Sequence, residues 1–144
     1  MLVIDPNSYA GLRLHGEDAY PEECCGILVG SFRAGGSVVA SAIRCVNVRQ
    51  DSPRNRYAID PKDLVSIQRD ARQHGFEVVG FYHSHPDHPA RWSSTDLADA
   101  YWVGCSYVIT SVVKGQAADT RSFRLEGSWQ ERRFEEEEVL VQED

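Results

Sequence analysis

The sequence has no apolar run approaching the roughly 18 residues that a membrane-spanning helix needs, so none is expected. Its opening residues, Met1-Leu2-Val3-Ile4-Asp5-Pro6, lack the basic and apolar segments of a secretory leader, which predicts a cytoplasmic protein. Basic residues are too few: 15 Lys and Arg against 22 Asp and Glu leave a net charge of −7. Phosphate backbones demand a concentrated basic surface, so nucleic-acid binding by charge is excluded. The four cysteines, Cys24, Cys25, Cys45 and Cys105, form no C-x-x-C pair, which argues against a structural zinc cluster or a dithiol redox motif. In the cytosol they are expected to be reduced and buried as small apolar residues.

Repeats, low-complexity stretches and linkers are also missing, so 144 residues predict one domain spanning 1–144 with a core of its own. The negative charge is concentrated at one end. Residues 126–144 hold eight acidic side chains against Arg132 and Arg133, which leaves the rest of the chain at −1. This acidic C-terminal strand or tail, about 127–144, is expected to be a solvated face.

What is present alternates strand and helix signals. Leu2-Val3-Ile4 predicts a short strand, and Asp5-Pro6 then supplies an N-cap and a first-turn proline for a helix to about Tyr20. Residues 26–30 and 38–43 predict strands about the Gly35-Gly36 turn, and residues 49–56 a polar surface loop. Asp60-Pro61 repeats the capped-helix signal, Leu64, Ile67 and Ala71 form a helical stripe, and Gly75 closes it. A strongly apolar strand from Phe76 runs into His83. A helix is then expected from Ser93 or Ser94 to about Trp102, followed by strands over 106–113 and 121–126 and within 129–141. Strands with interspersed helices predict an α/β or α+β domain with a mixed sheet.

The residues that carry chemistry follow the apolar strand. His83 and His85 stand at i and i+2, so a period of two places both imidazoles on one face, roughly 6–7 Å apart at Cα. Asp96, eleven residues after His85, lies on the first turn of the next helix and can be brought back over the strand end. Pro86 and Pro89 stiffen the connection. Two imidazoles and a carboxylate suit a metal ion, and three protein ligands leave a fourth position open, as in catalytic rather than structural zinc sites. A carboxylate must also move protons if the metal is to drive hydrolysis. The motif has none to spare, and Glu22 and Glu23, ahead of the strand at Gly26, are both candidates.

The pattern His83-Ser84-His85-Pro86, six residues, Ser93-x-x-Asp96 resembles the JAMM motif of the MPN+ metallopeptidases in its fixed positions and spacings. Upstream, Pro21-Glu22-Glu23-Cys24-Cys25-Gly26-Ile27-Leu28-Val29-Gly30 is similar to that family's segment bearing the catalytic glutamate, three residues before a glycine that opens a strand. The resemblance spans roughly residues 1–126 and selects Glu23 over Glu22. It implies one zinc ion held by His83, His85 and Asp96 with water as the fourth ligand. Glu23 would be general acid and base, and the Ser93 hydroxyl would stabilise the oxyanion. It also implies a cytidine-deaminase-like MPN fold, a mixed curved sheet flanked by helices. Deaminase chemistry itself is not implied, because the H-x-E and P-C-x-x-C signature is missing.

The compact length most resembles small prokaryotic members that act on ubiquitin-like or sulfur-carrier proteins. Those members cut an amide bond at the carrier's C-terminal Gly-Gly tail, and strand addition would suit its recognition. Candidates for substrate contact are Tyr57, ahead of the second long helix, and His88 and Trp92, in the loop between His85 and Ser93. Competing readings are an inactive MPN scaffold that binds a ubiquitin-like partner, and a non-haem Fe(II) enzyme using the same two-histidine, one-carboxylate triad. The scaffold reading expects lost ligands, whereas all three are present. The iron reading leaves Glu23 and Ser93 without a role.

Overall fold

The computed structural model describes residues 1–143, in which eight strands form one mixed sheet and helices flank it. In chain order the elements are β1 (Leu2–Ile4), α1 (Pro6–Ala19), β2 (Cys25–Arg33), β3 (Gly36–Cys45), α2 (Pro61–Gln73) and β4 (Glu77–Pro86). They are followed by α3 (Ser94–Ala98), β5 (Ser106–Val113), β6 (Gln116–Gly127), β7 (Arg132–Glu137) and β8 (Val139–Val141). The mixed α+β sheet flanked by helices is the architecture that the sequence predicts.

Both long helices start as their sequences specify. The Asp5 carboxylate accepts from the Ser8 amide at 3.0 Å and the Asp60 carboxylate from the Lys62 amide at 2.9 Å, each directly before a proline that needs no amide partner. The hairpin between β5 and β6 turns at Lys114 and Gly115, both at positive φ (50° and 85°), as a two-residue turn requires.

The sheet runs β7-β6-β5-β4-β2-β3-β1-β8, so β4, which carries the two histidines, sits near its middle. It pairs antiparallel with β2 and parallel with β5. Alternation along β2, and along β4 on either side of an irregularity where Leu28 pairs with Gly80 and Val29 with Val78, sends Ile27, Val29, Val78 and Phe81 to one face, where Leu64 and Ile67 of α2 cover them. Leu28, Val79 and Tyr82 point to the other face, packing with Leu12 and Tyr9 of α1. His83 and His85 continue the Phe81 face.

Although β7 and β8 lie on opposite edges, only Glu138 separates them in the chain. Consecutive residues are 3.8 Å apart, so the sheet must curl until its edges nearly meet. Glu137 stands at that junction. Its carboxylate accepts from the Ser106 hydroxyl at 2.5 Å and the Ser122 hydroxyl at 2.8 Å, and lies 3.1 Å from the Met1 ammonium. Its side chain is 6 % exposed, so the expectation of a uniformly solvated acidic segment is corrected here: Glu135, Glu136 and Glu138 face solvent, and Glu137 fastens the closure. Asp144 lies outside the described residues.

The helix expected to reach Trp102 stops at Ala98. Beyond it the chain buries Ala100 and packs the Trp102 ring edge-on against Phe81 at 5.3 Å. All four cysteines are free and buried.

Gly26, the second residue of β2, lies directly against the Tyr82 ring. A Cβ there would collide with the ring and with the Ile43 carbonyl. Gly26→Ala is expected to destabilise the fold by about 1–3 kcal/mol, measured as a lowered denaturant midpoint with an unchanged slope.

Candidate active site

Strand β4 delivers His83 and His85 side by side at its C-terminal end, both buried. Ser93 and Asp96 open α3 with a reciprocal cap: the Asp96 amide donates to Ser93 Oγ at 3.0 Å, and the Ser93 amide donates to Asp96 Oδ2 at 2.9 Å. That cap turns the Asp96 carboxylate over the strand end. Its two oxygens each lie 3.2 Å from a histidine Nε2, and the two Nε2 atoms are 3.2 Å from one another.

This donor set fits a tetrahedral metal. Two ligands on bonds of about 2.05 Å at the tetrahedral angle would sit about 3.4 Å apart, and the separations His83 Nε2 to His85 Nε2, His83 Nε2 to Asp96 Oδ1 and His85 Nε2 to Asp96 Oδ2 are each 3.2 Å. His85 Nδ1 is 2.9 Å from the Pro89 carbonyl, to which it donates, so its Nε2 lone pair faces inward. Burial pushes the His83 imidazole below its usual range, the neutral form that a metal requires. Burial also raises the Asp96 carboxyl, but the two histidines and the Ser93 amide outweigh it and hold the group well below the usual carboxylate range. For His85 burial lowers the value, and Asp96 and the Pro89 carbonyl reverse the balance upward.

Glu23 closes the other side of the cluster. It is 5 % exposed, whereas Glu22 faces solvent, and its Oε1 is buried with no hydrogen-bond partner. Burial pushes its carboxyl up to about 8, with the Asp96 charge adding to the rise and His85 opposing it. A cleft of about 390 Å³ brings Glu23, His85, Ser93 and His88 together with Asn55, Arg56, Pro89, Arg91 and Thr95. Since Ser93 Oγ already accepts from the Asp96 amide, its own proton is free to be donated into the cleft.

Tyr57 stacks on the His83 imidazole, with centroids 4.6 Å apart and planes inclined by 24°. Beyond it lies a second cleft of about 470 Å³, lined by aromatic and aliphatic side chains that include Tyr57, Ile59, Phe81 and Trp102. His88 reaches the first cleft. Trp92 does not line either one: its ring packs on Phe134 of β7 at 5.6 Å. Asn55, Arg56 and Arg91 were not singled out by the sequence, because exposed loop residues follow no periodicity that would place them.

Fold and constellation together define a mixed α+β domain of the MPN class, with a two-histidine, one-carboxylate cluster that fits a cation at the end of a central strand. The chain belongs to the family described as prokaryotic homologs of the JAB domain, whose model matches residues 7–126. It is 41% identical over 91 residues to the desampylase of Haloferax volcanii, covering 63% of each chain. It is 35% identical over 69 residues to a Thermus thermophilus protein named "Probable TtuB-protein conjugate cleaving protease", covering 48% of this chain and 46% of that one. The match therefore spans less than two thirds of either relative. A solved structure from Desulfitobacterium hafniense superimposes with a TM-score of 0.84 at 28% identity over 100% of this chain and 94% of that one. Another, from Salinibacter ruber, gives 0.72 at 38% identity over 96% of this chain and 90% of that one.

Proposed function

We propose that this chain is a zinc-dependent isopeptidase that hydrolyses the amide bond joining the C-terminal Gly-Gly tail of a ubiquitin-like or sulfur-carrier protein to an amine. The observation that carries this reading is a buried carboxylate, Glu23, that lines one cleft with His85 of the His83, His85 and Asp96 cluster and with Ser93. The names of the two relatives, one a desampylase and the other a conjugate-cleaving protease, support the choice of a protein-conjugate substrate.

His83, His85 and Asp96 would hold the metal, which when bound would polarise the scissile carbonyl and acidify water. Glu23 accepts the proton of the attacking water and returns it to the departing nitrogen, a role suited to a carboxyl that burial has made more basic. The Ser93 hydroxyl donates to the oxygen on which charge develops. Tyr57 roofs His83 and forms the wall of the apolar cleft, where aliphatic side chains of the carrier tail would lie. His88 reaches the first cleft and would contact the leaving side. Trp92, packed on Phe134, would support the loop rather than touch substrate.

Incubating the zinc-loaded chain with a carrier conjugate tests the reading. Release of the intact carrier ending in Gly-Gly is expected, and its absence with every carrier tried would sink the proposal. Ser93→Ala is expected to lower kcat by about 10²–10³-fold through loss of the oxyanion donor. It should also cost about 1 kcal/mol of stability through loss of the cap, so kcat must be read well below the unfolding midpoint. A drop under about tenfold would remove Ser93 from the chemistry.

A further inference from the structure

Glu23 precedes β2, so the sheet ladder does not fix it. Its backbone groups turn instead to the segment between β3 and α2. The Glu23 amide donates to the Pro53 carbonyl at 2.9 Å, and its carbonyl accepts from Asn47 Nδ2 at 3.2 Å. The second proton of that Nδ2 goes to the Arg56 carbonyl at 3.1 Å. On the other side of the carboxamide, Oδ1 accepts from the amides of Arg49 and Ala58, each at 3.0 Å. Two carbonyl partners on one side and two amide partners on the other leave one orientation of the side chain. All four hydrogen bonds that an Asn can make are used, and every partner is backbone.

Two of those partners, the Arg56 carbonyl and the Ala58 amide, flank Tyr57, whose ring stacks on His83. One carboxamide thus grips the buried carboxylate residue and the peptide groups on either side of the ring that covers a metal-ligand histidine.

We propose that Asn47 is a positioning residue for the reaction, holding Glu23 and Tyr57 in one hydrogen-bonded frame against the two histidines. This rests on the hydrolytic function proposed above. Its physical basis is that general-base catalysis requires placement to within a fraction of an ångström, and that a site is held there by neighbours whose own conformations are locked. Asn47 touches neither substrate nor metal ligand and acts only through the residues it holds.

Zinc-loaded wild type, Asn47→Ala, Asn47→Asp and the control Gln50→Ala, on the exposed side of the same loop, are compared on a carrier conjugate well below their unfolding midpoints. In both Asn47 variants kcat is expected to fall by about 10–100-fold, with a smaller change in KM and zinc still at about one per chain. Hydrogen exchange at the Glu23 and Ala58 amides should accelerate by about tenfold or more. Asn47→Asp keeps the acceptor for Arg49 and Ala58 but loses both donors, so it should lose kcat while retaining more of the Ala58 protection. Gln50→Ala should match wild type. A merely structural Asn47 would lower the unfolding midpoint and leave kcat of the folded protein alone, so kcat within about twofold of wild type in either zinc-loaded variant overturns the proposal. If Asn47→Ala does not fold, Asn47→Asp decides. If wild type itself cleaves nothing, the functional reading has failed. Glu23 exchange then decides the positioning claim, and unchanged protection in the Asn47 variants overturns it.

Discussion

Glu23→Gln is expected to lower kcat by about 10²–10⁴-fold, the usual worth of a positioned general base, while leaving zinc bound at about one per chain. The amide keeps the shape of the carboxyl but cannot accept the water proton, and the metal-ligand atoms of His83, His85 and Asp96 are untouched. Single-turnover cleavage of a carrier conjugate with parallel zinc analysis measures both halves. A mutant that cleaves as fast as wild type would show that another group moves the proton.

The same substitution carries a stability signature in metal-free protein. Burial raises the Glu23 carboxyl to about 8 in the folded chain, whereas in the unfolded chain it titrates in the ordinary glutamate range. As pH rises between those values, the unfolded chain gives up the proton and the folded chain keeps it. Stability therefore falls from about pH 5 to pH 8 and levels off above, by an amount on the order of a few kcal/mol. Below about pH 4 both states are protonated and the effect vanishes. Chelator-treated Glu23→Gln should lose this downward slope, which denaturant unfolding at pH 5 and pH 8 would reveal.

Asp96→Asn is expected to remove the metal and with it at least about 10³-fold of activity, since water acidification and carbonyl polarisation are lost together. Asp96 is the sole anion among the three ligands, and its oxygens face both histidine Nε2 atoms at 3.2 Å. The asparagine can still accept from the Ser93 amide, so α3 keeps its start and the loss belongs to the metal. Zinc content after dialysis, together with chelation of wild type and restoration by added zinc, checks the claim. Full zinc occupancy in Asp96→Asn would refute the ligand assignment.

Much of the fold was legible because its signals are local. Asp-Pro pairs mark helix starts through one side chain and one ring, and alternation over the end of β4 puts Phe81, His83 and His85 on one face without reference to any partner strand. The i, i+2 spacing placed His83 and His85 together for the same reason, and the Ser93-x-x-Asp96 cap could be read from four residues. What was not legible depends on residues far apart. Nothing near Ala98 announces that α3 ends there, where the chain goes on to bury Ala100 and bring Trp102 against the distant Phe81. Nothing in the acidic run distinguishes Glu137 from its neighbours until the curled sheet brings Ser106 and Ser122 to it.

By itself, then, the sequence determined which residues could bind a cation and that they would share a strand end, because strand period and helix capping act over a few residues. Glu22 and Glu23, alike on the residues alone and told apart there only by resemblance, differ in burial, and that difference belongs to the tertiary structure. Glu23 is the residue that the segment between β3 and α2 catches through Pro53 and Asn47, turning one carboxylate out of water and into the cleft that His85 lines. Burial and proximity at a separation of sixty residues in the chain are properties of the assembled fold.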